Sequence, residues 1–275
     1  MLQRRGLPGK GPRILLVPNS GLLEENVWWE DGVMNLSKLF VSVFLLLVGF
    51  VASSCSSDSS GGGGGSTTLP DTTVSLTIRV ADPGNFVDLQ FTGGLREFNW
   101  GDGSAVVPSV NTSSSFEHLY AAAGTYTITF KDNGCTSLSI FGLGENTEYW
   151  FTGVSGLVYL TNLKTLAMNA NSLGSFDVSD LPASLTTLEL PDNGITAFDA
   201  TQLPDNITNL DLRLNSALTS SVATAVFSKL LSAGKTNGVL ALPSFTFASG
   251  SATCTDRANL RSVRGWRTSG ISGCI

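Results

Sequence analysis

Three successive stretches carry the decisive pattern: Leu163–Ser184 (LKTLAMNANSLGSFDVSDLPAS), Leu185–Asn206 (LTTLELPDNGITAFDATQLPDN) and Ile207–Ser221 (ITNLDLRLNSALTSS). Aligned every 22 residues, at Leu163, Leu185 and Ile207, they share apolar residues at the first, fourth and sixth positions and Asn at the ninth. A period of this length marks stacked units, none of which can bury its apolar face alone. Leu163, Leu166 and Met168, then Leu185, Leu188 and Leu190, then Ile207, Leu210 and Leu212 are expected to point inward as one core. Phe176 and Phe198, with Leu181-Pro182 and Leu203-Pro204, are expected to close its far side. Asn171, Asn193 and Asn215 fall where the chain leaves each strand, where a carboxamide can satisfy backbone groups as an internal ladder.

This L-x-x-L-x-L-x-x-N core resembles the leucine-rich repeat. The resemblance implies a short solenoid whose strands expose a concave face, here Thr165, Ala167 and Asn169, then Thr187, Glu189, Pro191 and Asp192, then Asn209, Asp211 and Arg213. Four or five such strands would offer roughly 330–410 Å² of flat area, below the roughly 800 Å² per partner of a standard interface. One copy is thus expected to bind weakly and many tethered copies by avidity. A less regular turn, Cys135–Leu143, precedes the repeats, with an insert through Tyr149-Trp150-Phe151. After them, Ser221–Ala233 reads as an amphipathic helix closed by Gly234, and Val239–Leu242 as one more parallel strand. The remainder, with Ala258, Leu260 and Val263, reads as a cap on the exposed end.

Upstream, Val74–Val80 (VSLTIRV) and Thr125–Phe130 (TYTITF) alternate with period two between turn residues, as half-buried strands do. Between them stand Phe98-Asn-Trp100-Gly101-Asp102-Gly103 and His118-Leu-Tyr120-Ala-Ala-Ala-Gly124-Thr-Tyr126. These paired motifs resemble the PKD domain, which implies an immunoglobulin-like sandwich used as a spacer or weak interaction module. Glycines suit the positive φ of such a turn, and the Asp102 side chain can bond neighbouring amides. A calcium role for Asp102 would need six to eight oxygens, and no dense acidic loop surrounds it. The expected fold is therefore mostly β with some α: a PKD/immunoglobulin-like β-sandwich over 72–134, then a leucine-rich-repeat solenoid with a C-terminal cap over 135–275.

Ahead of these, Leu39–Val51 is a run of 13 apolar or small residues preceded by Lys38 and followed by Ala52-Ser53-Ser54-Cys55. That order is a signal peptide's, and the run is shorter than the about 20 residues needed to span a bilayer. The small residues before Cys55 resemble the lipobox of bacterial lipoproteins, which implies a diacylated Cys55 as the mature N-terminus. The signal peptide is thus assigned to 34–54, and 1–33 reads as an upstream extension that is not native, with Met34 the start. The Ser/Gly-rich tether, 55–71, has the composition of a flexible coil and would span roughly 20 Å; it is similar to the Bacteroidetes pattern of surface lipoproteins.

From Cys55 onward the chain has 11 Lys+Arg against 18 Asp+Glu, a net charge of 11 − 18 = −7, which argues against nucleic-acid binding. His118 is the single histidine, so neither a histidine triad nor a multi-histidine metal site is available, and no cofactor is expected. Cys254 and Cys274, in the tail of an exported chain, are expected to form a disulfide worth roughly 3 kcal/mol; Cys135 is expected to be a buried apolar residue. Three function classes remain. The first is a non-catalytic, adhesin-like lipoprotein of the bacterial outer membrane that binds a protein or glycan. The second is an envelope-assembly component bound to a neighbouring membrane protein. The third is a polysaccharide-acting enzyme, which would need converging carboxylates; Asp199, Asp205 and Asp211 fall singly at turns or solvent positions. Replacing Cys55 with Ser should release the protein from membranes, and incorporation of labelled fatty acid by the variant at the parent level would rule out acylation there.

Overall fold

The computed structural model describes residues 72–274, apart from 85, 113–114 and 143–147. Cys55, the signal peptide, the tether and the upstream extension lie outside the described residues.

The strands are β1 (Thr73–Val80), β2 (Phe86–Asn99), β3 (Val107–Thr112), β4 (Ser115–Leu119), β5 (Gly124–Asp132), β6 (Ser137–Ile140), β7 (Tyr149–Ser155), β8 (Thr165–Ala167), β9 (Thr187–Glu189), β10 (Asn209–Asp211), β11 (Val239–Thr246) and β12 (Arg267–Ser272). Two α-helices, α1 (Ser220–Ala233) and α2 (Ala252–Ser262), flank β11 in sequence, and short 3-10 turns at Val178–Asp180 and Ala200–Gln202 separate the repeat strands. All twelve strands belong to one mixed sheet, in the order β12-β11-β10-β9-β8-β6-β2-β5-β1-β7, with β3 and β4 also on β2.

This overturns the expected β-sandwich followed by a leucine-rich-repeat solenoid. The fold is mixed α/β, dominated by one 12-stranded sheet. Two pairings that the local patterns do not announce join the segments. β6, from beyond residue 134, lies antiparallel against β2 through Phe91↔Leu138 and Leu89↔Ile140. β7, the strand formed by the aromatic insert, returns to pair antiparallel with β1 through Ile78↔Phe151 and Val80↔Tyr149. The buried apolar side chains accordingly form one contiguous core, from Val74 on β1 to Trp266 ahead of β12.

β2 makes this joining possible. Its first half, Phe86–Thr92, lies between β4 and β6, and its second half, from Gly93, lies between β3 and β5. Gly93 has φ 99° at the bend, and a side chain there would run into the Gly134 carbonyl oxygen, so glycine is required on both counts. Across the bend, Phe116 of β4 packs on Phe98 and Trp100 at ring-centroid distances of 4.8 and 5.1 Å.

From β6 the strands run parallel in strict register: Leu138↔Leu166, Leu166↔Leu188, Leu188↔Leu210 and Leu210↔Leu240, all buried. The 22-residue spacing thus becomes one row of leucines. Asn171, Asn193 and Asn215 are buried behind the strand ends. Asn215 Nδ2 donates to Leu190 O and Leu212 O at 2.9 Å, while its Oδ1 accepts from Asn193 N at 3.1 Å and Ile195 N at 3.0 Å. Asn193 Nδ2 donates to Met168 O and Pro191 O, and Asn171 Oδ1 accepts from Phe151 N at 2.9 Å, which ties β7 to the ladder.

At the far end, α1 buries Val222, Ala223, Val226, Phe227 and Leu230, an i, i+3/i+4 stripe, and stops at Gly234 with φ 71°. Leu218 reaches the core one position later than the repeat, whereas Val263, expected in the cap, is 71% exposed. Cys254 and Cys274 are joined, pinning α2 to the chain beyond β12.

The ladder makes an unequal pair of truncations testable. Asn215→Ala leaves two amides and three carbonyls, those of Leu190, Leu212 and Arg213, without their buried partner. Asn193→Ala removes two donated bonds together with an Oδ1 that already has no partner among the described residues. Since an orphaned buried group costs about 1–3 kcal/mol, Asn215→Ala should destabilise by about 3 kcal/mol or more and Asn193→Ala by clearly less. Chemical denaturation of both variants checks the order.

Candidate functional site

The outward side chains of the parallel strands form two rows. Thr165, Thr187 and Asn209 align in one through the pairs Thr165↔Thr187 and Asn209↔Thr187; Ala167, Glu189 and Asp211 align in the other. Thr165, Thr187, Glu189, Asn209 and Asp211 are each half-buried, because neighbouring outward side chains shield one another. The face is also broader than four or five strands. β12, β11, β10, β9, β8 and β6 run parallel, and the first half of β2 with β4 continues the same surface antiparallel, which gives about 34 Å across at about 4.8 Å per strand.

Its polar groups largely hold one another. Asn209 Nδ2 donates to Glu189 Oε1 at 2.8 Å. Arg213 Nε donates to both Asp211 oxygens at 3.0 Å and Nη2 to Oδ2 at 2.6 Å, and the Arg213 backbone amide donates to Asp211 Oδ1 at 3.0 Å. Arg213 is thus paired with Asp211 on its own chain, two residues away. The hydrogen bond and charge of Asp211, opposed only by slight desolvation, raise the Arg213 pKa above its ordinary value.

Beyond the strand ends the same ladder continues through Ala170 N→Pro191 O and Asp192 N→Arg213 O, both 3.0 Å. There the chain turns at Ala170, Asp192 and Leu214 with φ 53°, 57° and 62°, the left-handed region. These turns swing each following asparagine inward. They also leave an open groove of about 360 Å³, lined by Asn169, Ala170, Pro191, Asp192, Arg213 and Leu214. Of the expected face residues, Asn169, Pro191, Asp192 and Arg213 therefore meet in the groove, whereas Thr165, Thr187 and Asn209 lie in the row farther along the strands. Ala170 and Leu214 were not among the expected face residues. The signal for them was their place at the eighth position of each repeat, directly before the ladder asparagine.

The remaining candidates are occupied structurally. Asp199 caps the turn at Ala200–Gln202 by accepting from Thr201 N at 3.0 Å and Thr201 Oγ1 at 2.6 Å. Asp205 pairs with Lys229 at 2.7 Å. Cys135 is fully buried; burial first, then the Asp132 charge, pushes its thiol up to about 12, so it stays a protonated, inert thiol. Among the described residues no group of three or more His, Cys, Asp or Glu side chains could hold a metal ion.

The Trp100–Ser104 turn is a second polar constellation. His118 Nε2 lies 2.7 Å from Asp102 Oδ2, and the imidazole stacks on Trp100 at 4.6 Å. Tyr120 donates its hydroxyl to Trp100 O at 2.8 Å, and Ser104 N donates to Asp102 Oδ1 at 3.0 Å. Burial pushes the Asp102 carboxyl up, but the Ser104 and His118 hydrogen bonds and the His118 charge outweigh it and bring the carboxyl down to about 2. A carboxyl lowered on folding stabilises above its unfolded pKa and loses that contribution as pH falls through its folded value. The parent should therefore lose stability relative to Asp102→Asn between about pH 4 and pH 2. Thermal melts of both proteins across that range measure it, and parallel curves would remove Asp102 from the acid sensitivity. No protein-family model, curated protein or solved structure matches the chain.

Proposed function

We propose that the chain is a non-catalytic binding module, held at the bacterial outer-membrane surface by lipid on Cys55, that engages a protein or glycan through the outward face of its parallel strands. The observation that carries this reading is the contrast between the two faces of β8, β9 and β10. The inner leucines are wholly buried, while the outer face is a continuous polar surface that ends in an open groove. The outer positions carry Glu189, Asp211 and Arg213, charged side chains that take no part in the apolar core.

The state of the carboxylates supports the non-catalytic part. Asp199 caps a turn, Asp205 is tied to Lys229 and Asp211 is clamped by Arg213, so none of the three is free to serve as acid or base. The proposed attachment is the lipid at Cys55; no helix among the described residues is long and apolar enough to cross a membrane. A single myristoyl-length chain anchors only marginally; the two acyl chains of a diacylated cysteine hold stably. Many copies on one surface would then supply the avidity that a small face lacks.

The test is a glycan and protein array probed with the full chain and with a Glu189/Asp211/Arg213 triple alanine variant. Removing one ion pair and two hydrogen bonds, Asn209 Nδ2 to Glu189 Oε1 and Arg213 N to Asp211 Oδ1, should cost about 1–4 kcal/mol, less than the about 5–15 kcal/mol that holds a typical domain folded, so the variant should stay folded. Ligands of the parent should be lost by the variant. A verified ligand held equally tightly by both proteins would move the site off this face.

A further inference from the structure

Two features of the groove stand apart from anything folding requires. The first is Leu214. Its backbone is left-handed, φ 62°, at a position where Asn or Gly is favoured, yet it presents an aliphatic side chain that is 69% exposed. The equivalent residues one and two repeats earlier, Asp192 and Ala170, are polar or small. A left-handed, solvent-facing leucine contributes nothing to the core and is less favourable than asparagine in that conformation, so its reason must lie in what it touches from outside.

The second is Asp192. It is exposed and makes no side-chain hydrogen bond or ion pair among the described residues, in contrast to Asp211 and Glu189 beside it. Because Arg213 is satisfied by Asp211, the local balance of Glu189, Asp192, Asp211 and Arg213 is −3 + 1 = −2, with Asp192 carrying the charge that faces the groove.

We infer that this groove takes an extended, cationic peptide segment of a partner protein, one that places a Lys or Arg side chain on Asp192 and an apolar side chain on Leu214. The inference rests on the binding-module reading above and narrows its partner. From Asn169 to Arg213 the groove crosses two strand spacings, about 10 Å, which three residues of extended chain cover. The groove's apolar lining, Ala170, Pro191 and Leu214, is aliphatic and offers no aromatic ring for a sugar to stack on. Its free charge is negative, complementary to a basic segment and repulsive to an acidic one.

The experiment measures fluorescence anisotropy of the full chain in detergent with a labelled heptapeptide of alternating Lys and Leu, beside the same peptide with Glu for Lys. Asp192→Asn and Leu214→Asn are the site variants, since asparagine suits the left-handed backbone at both positions and keeps the fold. Asp205→Asn, on the exposed Lys229 pair away from the groove, controls for overall charge. The Lys/Leu peptide should bind and the Glu/Leu peptide should not. Each site variant should weaken binding about fivefold, with Leu214→Asn melting no lower than the parent, while Asp205→Asn binds as the parent does. Binding should fall in about 1 M salt, where the Debye length shrinks to about 3 Å. Equal binding of both peptides, or Lys/Leu binding indifferent to Asp192→Asn and Leu214→Asn, overturns the inference. If the Lys/Leu peptide fails to bind while an array glycan binds and is lost in the Glu189/Asp211/Arg213 triple variant, the peptide inference falls and the binding-module reading stands.

Discussion

The bend of β2 at Gly93 is the constraint from which the rest of the architecture follows. A strand of 14 residues passes here from one pair of neighbours to another, and it does so at Gly93, whose positive φ and close approach to the Gly134 carbonyl only glycine allows. The same corner launches the parallel strands. Asp132 Oδ1 accepts from Gly134 N at 3.0 Å and from Cys135 N at 2.8 Å, steering the chain out of β5 and into β6 beside the first half of β2. Once Phe91 is opposite Leu138, register passes along the sheet through Leu166, Leu188, Leu210 and Leu240. A one-residue slip would turn every one of those side chains to the outer face, so the corner sets both the core and the polar surface.

The asparagine ladder performs the matching task at the other end of each strand. β8, β9 and β10 have three residues each, too few to carry the backbone bonds of a full turn of chain. Asn171, Asn193 and Asn215 supply the missing donors and acceptors from inside, so strands this short can hold register. The left-handed residues ahead of them are the consequence, and the groove is the outward side of the same turns. Structure and candidate site are thus two faces of one backbone solution.

The repeat segment was legible because its side chains answer to a local rule. Apolar residues at the first, fourth and sixth positions and Asn at the ninth specify an inward row and a buried ladder, whatever lies beside them. The expected two-part fold failed where a long-range pairing decides. Phe86–Asn99 alternates only until Gly93-Gly94 interrupts it, and past that point Glu97, with φ 52°, shifts the register against β5. Nothing local in Ser137–Ile140 states that its other neighbour is β2. Tyr149-Trp150-Phe151 read as an insert because three consecutive buried aromatics have no period; their partner, β1, lies some seventy residues earlier in the chain. On the outer face the residue types were legible, and their partners were not. Whether Arg213 reaches Asp211, two residues away on its own chain, or Glu189 on the next strand depends on rotamers that spacing does not determine.

Those partners bear directly on how the face can bind. A polar surface whose side chains are free must order them on contact, at about 0.5–1.5 kcal/mol for each long side chain immobilised. Here Glu189 is held by Asn209 and Asp211 by Arg213 before any partner arrives, so much of that cost is met in folding. The charge left unpaired, Asp192, lies in the groove beside Ala170, Pro191 and Leu214. A face that is preorganised over its breadth and unsatisfied in one short groove favours recognition through a few well-placed contacts over large buried area. That arrangement suits weak individual encounters repeated across many copies on one surface.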